Sequence, residues 1–196
     1  MKKAFVAIAL FAAISAVAGP LGLSKGMTLE EIKRHGNFTL TPEKTSVYSS
    51  PTLTNGHPDF ERYTVILTPQ HGLCKIMAIG KDVSTSVYGS ELRSSFEGLS
   101  NALSTKYGKS NSAFNFLQAG SIWNEPNEWM MGLFKKERTL SSYWYDSKKK
   151  LPDSIHTISL SANALATSKG WITLNYEFDN VDDCIDLLQT KKNSNL

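Results

Sequence analysis

The chain has 196 residues, 41% of them apolar and 10% aromatic, with a formal charge of +3 at neutral pH. That composition excludes a disordered or collagen-like chain and is enough for one sizeable domain or two small packed halves. Setting Lys2 and Lys3 aside lowers the charge from +3 to +1, so bulk electrostatics favour no nucleic acid or other polyanion as partner.

Lys2 and Lys3 precede an apolar run from Ala4 to Ile14, and Ala16-Val17-Ala18 stands just before Gly19. A basic start, a short apolar stretch and a small-x-small step mark a signal peptide cleaved at Ala18–Gly19. The run is shorter than the roughly 20 apolar residues that a membrane anchor needs, and no cysteine follows it to carry a lipid. Residues 1–18 are therefore expected to direct the chain to the periplasm, or out of the cell. The mature protein, 178 residues (196 less 18), is expected to have no membrane span.

Thr28 with Glu31 three residues later forms a capping box, and a short helix is expected from Leu29 to His35, stopped by a left-handed Gly36. Residues 37–60 are rich in Thr, Ser, Pro, Asn and Gly and should form loop and edge structure around Ser46-Val47-Tyr48. Tyr63, Val65 and Leu67 alternate with Arg62, Thr64 and Ile66, which predicts a strand. Pro69 to Gly72 reads as a turn and Leu73 to Ile79 as the return strand of a central hairpin.

Leu92, Phe96, Leu99, Leu103 and Tyr107 form one apolar stripe at helical spacing, closed by Gly108. Residues 109–115 read as a Ser/Asn-rich joint, Glu128 to Arg138 as a helix and Thr139 to Tyr145 as a strand. Ile158, Leu160 and Ala162 alternate with polar residues, as do Ile172, Leu174, Tyr176 and Phe178, and the two runs should pair across Thr167 to Gly170. Asp179-Asn180 is expected to cap a last helix from Val181 to Thr190. Residues 19–110 and 111–196 each read helix, strands, helix. Two accounts are open: a duplication, or one continuous domain whose order repeats. Under both, the class is α+β, with antiparallel strands and helices packed on one face.

Cys74 and Cys184 are the two cysteines. In an exported chain such a pair reads first as a disulfide, which in the loop-entropy account would stabilise the fold by roughly 4–5 kcal/mol. Two buried free thiols are the alternative.

Catalytic motifs are missing: there is no G-x-S-x-G, Walker loop, G-x-G-x-x-G or H-E-x-x-H. His35, His57, His71 and His156 do not sit at metal-ligand spacing, so neither a metal nor a cofactor is expected. His71 and Cys74, three apart, suggest a thiol nucleophile with its base, but a central strand gives Cys74 neither access nor a low pKa. Asp179, Asp182 and Asp183 lack the alternation of a calcium loop. Glu125 and Glu128 beside Trp123 and Trp129 have the residue types of a glycan cleft, one carboxylate as acid and the other as base or nucleophile. The same four positions also describe a helix N-terminus with acids facing the dipole, and that reading takes precedence.

The tryptophans Trp123, Trp129, Trp144 and Trp171 cluster in the second half. Trp171 shares a strand face with Thr173 and Asn175, opposite the apolar set, so it reads as a contact residue on a polar sheet face. The competing arrangement has a loop or helix covering it. Lys135, Lys136, Arg138 and the run Lys148 to Lys150 read as solvated faces.

Gly26-Met27-Thr28-Leu29-Glu30-Glu31-Ile32, closing at Gly36, resembles the G-M-T-x-x-E/Q-V/I stretch of small exported bacterial α+β domains of the BLIP-like type. These occur in β-lactamase inhibitor proteins and in the small lipoprotein of the outer-membrane β-barrel assembly machine. The resemblance implies short helices on an antiparallel sheet and, in tandem copies, a concave protein-binding face. The chain lacks the lipoprotein's cysteine, and its cysteine pair differs from the inhibitor's pattern, so only the architecture is carried over.

The sequence thus points to an exported, non-catalytic protein that binds an envelope or extracellular protein, as inhibitor, immunity or envelope-accessory factor. Trp171, Thr173, Asn175, Trp123 and Trp129 are its candidate contact residues. The alternative is a cell-wall glycan binder or hydrolase built on Trp123, Trp129, Glu125 and Glu128.

Overall fold

Strand alternation and one amphipathic helix organise the molecule. The computed structural model describes residues 19–42, 46–147 and 150–193; the leader and Lys148 and Lys149 of the basic run lie outside them. A 3-10 turn at Pro20–Gly22 leads into α1 (Leu29–Lys33). The capping box forms as expected, with the Thr28 N–H donating to Glu31 Oε2 at 2.8 Å. The helix is shorter than expected, and Gly36 is not left-handed. Gly36 is needed instead for close approach, since a Cβ there would meet the Thr52 carbonyl at 2.5 Å.

Strands β1 (Thr39–Leu40), β2 (Val47–Ser50), β3 (Phe60–Thr68) and β4 (Gly72–Gly80) follow, then the short β5 (Val83–Ser84). Gly72, at φ +63°, makes the β3–β4 turn possible where an L side chain would be strained. Helix α2 (Ser90–Tyr107) buries Leu92, Phe96, Leu99 and Leu103, and Gly108 ends it at φ +89°.

The second half departs from expectation in two places. The joint contains an edge strand, β6 (Ser112–Leu117), whose Ser/Asn content hid the alternation of Phe114 and Phe116. Helix α3 (Trp129–Phe134), entered through a 3-10 turn at Pro126–Glu128, stops well before Arg138. Lys136 takes φ +61°, while the Glu137 N–H donates to the Gly132 carbonyl and the Lys136 N–H to that of Leu133. This is a Schellman ending with lysine where glycine is usual, so the sequence carried no stop signal. Arg138 instead begins β7 (Arg138–Tyr145), followed by β8 (Ile155–Ala166), β9 (Lys169–Phe178) and α4 (Val181–Asn193).

All the strands join one antiparallel sheet in the order β1-β2-β3-β4-β9-β8-β7-β6, with β5 paired to the start of β9. The two sequence halves meet at β4–β9, where Met77 faces Asn175. Each half's last helix packs on strands of the other: α2 on β8 and β9, α4 on β3 and β4. A single core results, in which Val65, Ile76, Leu92, Ile158, Leu160 and Phe178 are fully buried. Cys74 on β4 and Cys184 on α4 form the expected disulfide. Asn180 does not cap α4 through its side chain; its Nδ2 donates to the carbonyls of His71 and Leu73 and pins the β3–β4 turn.

Candidate functional site

Because successive strand residues point to opposite faces, burying Ile172, Leu174, Tyr176 and Phe178 of β9 against the helices turns Trp171, Thr173, Asn175 and Glu177 outward. The ladder carries that face across the whole sheet. One row reads Ser49, Thr64, Met77, Asn175, Ser159 and Tyr143, with Ser112 at the far edge. The core-forming residues all lie on the other face, under the helices.

Hydroxyl and amide side chains knit the outward face together. Ser49 Oγ and Thr64 Oγ1 are 3.0 Å apart, Asn175 Nδ2 donates to Ser159 Oγ at 3.1 Å, and Asn163 Nδ2 donates to Thr173 Oγ1 at 3.1 Å. Lys75 Nζ meets Glu177 Oε1 at 2.7 Å across the β4–β9 seam. Asn175 Oδ1 and Ser141 Oγ are buried and have no protein partner.

Apolar groups interrupt this polar field in two depressions. One, of about 320 Å3, is lined by Ile66, Met77 and Ile79 with Arg62 and Lys75 at its side. The other, of about 400 Å3, adjoins Tyr143, Asn163 and Trp171. Beyond Tyr143, Phe114 and Phe116 on the edge strand are 43% and 48% exposed, and Phe114 meets Tyr143 edge-on with centroids 5.9 Å apart. Phe114 and Phe116 are contact candidates that a Ser/Asn-rich joint over residues 109–115 conceals, and Tyr143 joins them only through the β6–β7 pairing.

Trp171, Thr173 and Asn175 therefore share one face, each half-buried. Trp129 does not join them, and Trp123 is half-buried in the loop before the 3-10 turn, its N–H donating to Ser121 Oγ at 3.2 Å. Trp129 is 6% exposed, set against Gly89 and flanked by the guanidinium groups of Arg93 at 5.6 Å and Arg138 at 5.7 Å. It is a core residue, not a contact residue, because the first turn of α3 faces inward. Glu128 closes the 3-10 turn, its Oε2 accepting from the Glu125 N–H at 3.1 Å while the Glu128 N–H donates to the Glu125 carbonyl at 2.9 Å. Trp129 is thus enclosed and Glu128 Oε2 is held by that turn, so neither offers the open ring or free carboxylate that a glycan cleft would use.

Arg138 also departs from the solvated face expected of it. It is half-buried, and burial followed by the charge of Arg93 lowers its pKa from the ordinary guanidinium value. Among the described residues no group of three or more His, Cys, Asp or Glu is placed to hold a metal ion, and no helix is long and apolar enough to cross a membrane. Compared with known proteins, the chain matches no family model, no curated relative and no solved structure.

Proposed function

We propose that this is an exported, non-catalytic binding protein that engages another protein of the cell envelope or surroundings through the uncovered face of its sheet. The observation that carries the reading is that face itself. Eight strands in succession present it, with the core packed on the opposite side. Trp171, Tyr143 and Met77 on it are of the residue types that protein contacts favour. The likeness of residues 26–36 to BLIP-like domains supports the same reading, since tandem domains of that type bind partners on a sheet face. Export is supported by the leader pattern and by the disulfide; the chain recovered from an envelope fraction should then begin at Gly19 by intact mass.

Capture provides the test. Immobilised mature protein is incubated with envelope extract, and the retained protein is identified by mass spectrometry. Met77→Glu, at the centre of the face, should lose that protein while its unfolding midpoint stays unchanged. Retention undiminished by Met77→Glu and by a second charge at Ser159 would rule the face out.

A further inference from the structure

The ladder between β7 and β8 stops early. β7 remains paired with β6 from Tyr143 opposite Ser112 to Arg138 opposite Leu117. β8 remains paired with β9 as far as Ala166 opposite Lys169. Between β7 and β8, pairing runs only from Tyr145–Thr157 to Ser141–Ser161. Beyond that point the strands part, residues 138–140 on one side and 162–166 on the other.

The alternation of the ladder says which groups face the gap. The Asp146 N–H donates to the His156 carbonyl at 3.2 Å, so even-numbered residues of the two strands direct their main-chain groups at each other. Continued past Ser141 and Ser161, this turns the main-chain groups of Arg138 and Leu140, and of Ala162 and Ala164, into the gap. The cavity of about 400 Å3 occupies it and touches both faces of the sheet: Asn163 and Trp171 from the open face, Ala162 and Ala164 from the other, with Leu133 and Phe134 of α3 below. One cavity reaches both faces of a sheet only where its strands separate.

The rim is basic. Lys136 and Arg138 line the cavity, Arg138 Nε is buried without a hydrogen-bond partner, and Arg93 shares the Trp129 ring with Arg138. Among the described residues none of these three cations lies within ion-pair distance of a carboxylate.

We propose that this fork takes up an extended, acidic and apolar segment of a partner protein by strand addition to the free part of β8. Main-chain groups left without a ladder call for another backbone. The floor of Leu133 and Phe134 takes apolar side chains, and the unpaired cations take carboxylates. The proposal deepens the binding function above and rests on it for the nature of the occupant.

Hexapeptides alternating Glu with Val, Leu or Phe test it, titrated into the full-length mature protein and followed by amide chemical shifts. At least one should bind with a dissociation constant below about 1 mM, shifting the amides of Leu140, Ala162 and Ala164. N-methylation of alternate amides in one of the two phases, or exchange of Glu for Lys, should weaken it at least about tenfold, the scale of one or two lost hydrogen bonds. Ala164→Pro removes a gap-facing donor without touching the β9 ladder and should weaken binding likewise. Arg138→Gln, which leaves the backbone intact, provides the same reading if the proline variant does not fold. No binding, binding indifferent to N-methylation, shifts confined to the open face, or a dimer of this chain whose contacts map to the fork would each overturn the proposal. No captured partner enters this experiment, so its failure is distinguishable from failure of the Met77→Glu test.

Discussion

Cys74 on β4 and Cys184 on α4 are joined with their Cα atoms 6.5 Å apart, tying the last helix to a strand of the other sequence half. The bond closes a loop of 110 residues. Replacing both cysteines with alanine should lower unfolding free energy by about 4–5 kcal/mol, read by denaturant titration. The unreduced, unfolded protein should show no titratable thiol; two thiols would contradict the bond.

Leu99 lies at the centre of the buried stripe of α2, beside Ile172 of β9. Leu99→Ala should cost about 2–5 kcal/mol through lost burial and a residual cavity. A change below about 1 kcal/mol would place the stripe outside the stabilising core.

Trp171 stands on the open face opposite Asn163. Trp171→Ala is expected to leave thermal unfolding nearly unchanged and to weaken partner binding by about 2 kcal/mol or more. Paired measurement of unfolding and capture decides: a loss of stability with capture intact would make Trp171 a packing residue.

Tyr176 is buried beside Tyr107, with ring centroids 6.2 Å apart. Burial, reinforced by Tyr107, pushes its hydroxyl pKa far above the ordinary tyrosine range, and burial also raises that of Tyr63. Above about pH 10 the unfolded chain loses these protons while the folded one keeps them. Stability is therefore full below that pH and falls as pH rises beyond it. Ultraviolet titration should show Tyr176 ionising only on unfolding and Tyr63 above the ordinary tyrosine range; ionisation of all tyrosines at ordinary pH in the folded protein would contradict the burial.

How much was legible followed the range of the interaction. The Thr28–Glu31 cap, the α2 stripe and the period of β9 are set by residues within one or two turns or strand steps of each other, and each was readable. Placing Trp171, Thr173 and Asn175 on one face needed only the two-residue period, because one buried side dictates the other. Lys136 shows where local reading fails: a left-handed stop carried by lysine looks like more helix.

By itself the sequence determined the α+β class, the main hairpins and the polar face of β9, because each follows from local period; it left the two cysteines open between a bond and buried thiols, and the fold brings them together. Only the tertiary structure decided that β4 and β9 join the halves into one sheet, that α2 and α4 cross to the opposite half, that Arg93 and Arg138 enclose Trp129, and that β7 parts from β8 beyond Ser141 and Ser161. Those are choices among distant surfaces of similar composition, settled by which packing buries the most apolar area while pairing the most backbone, and no local pattern along the chain records them.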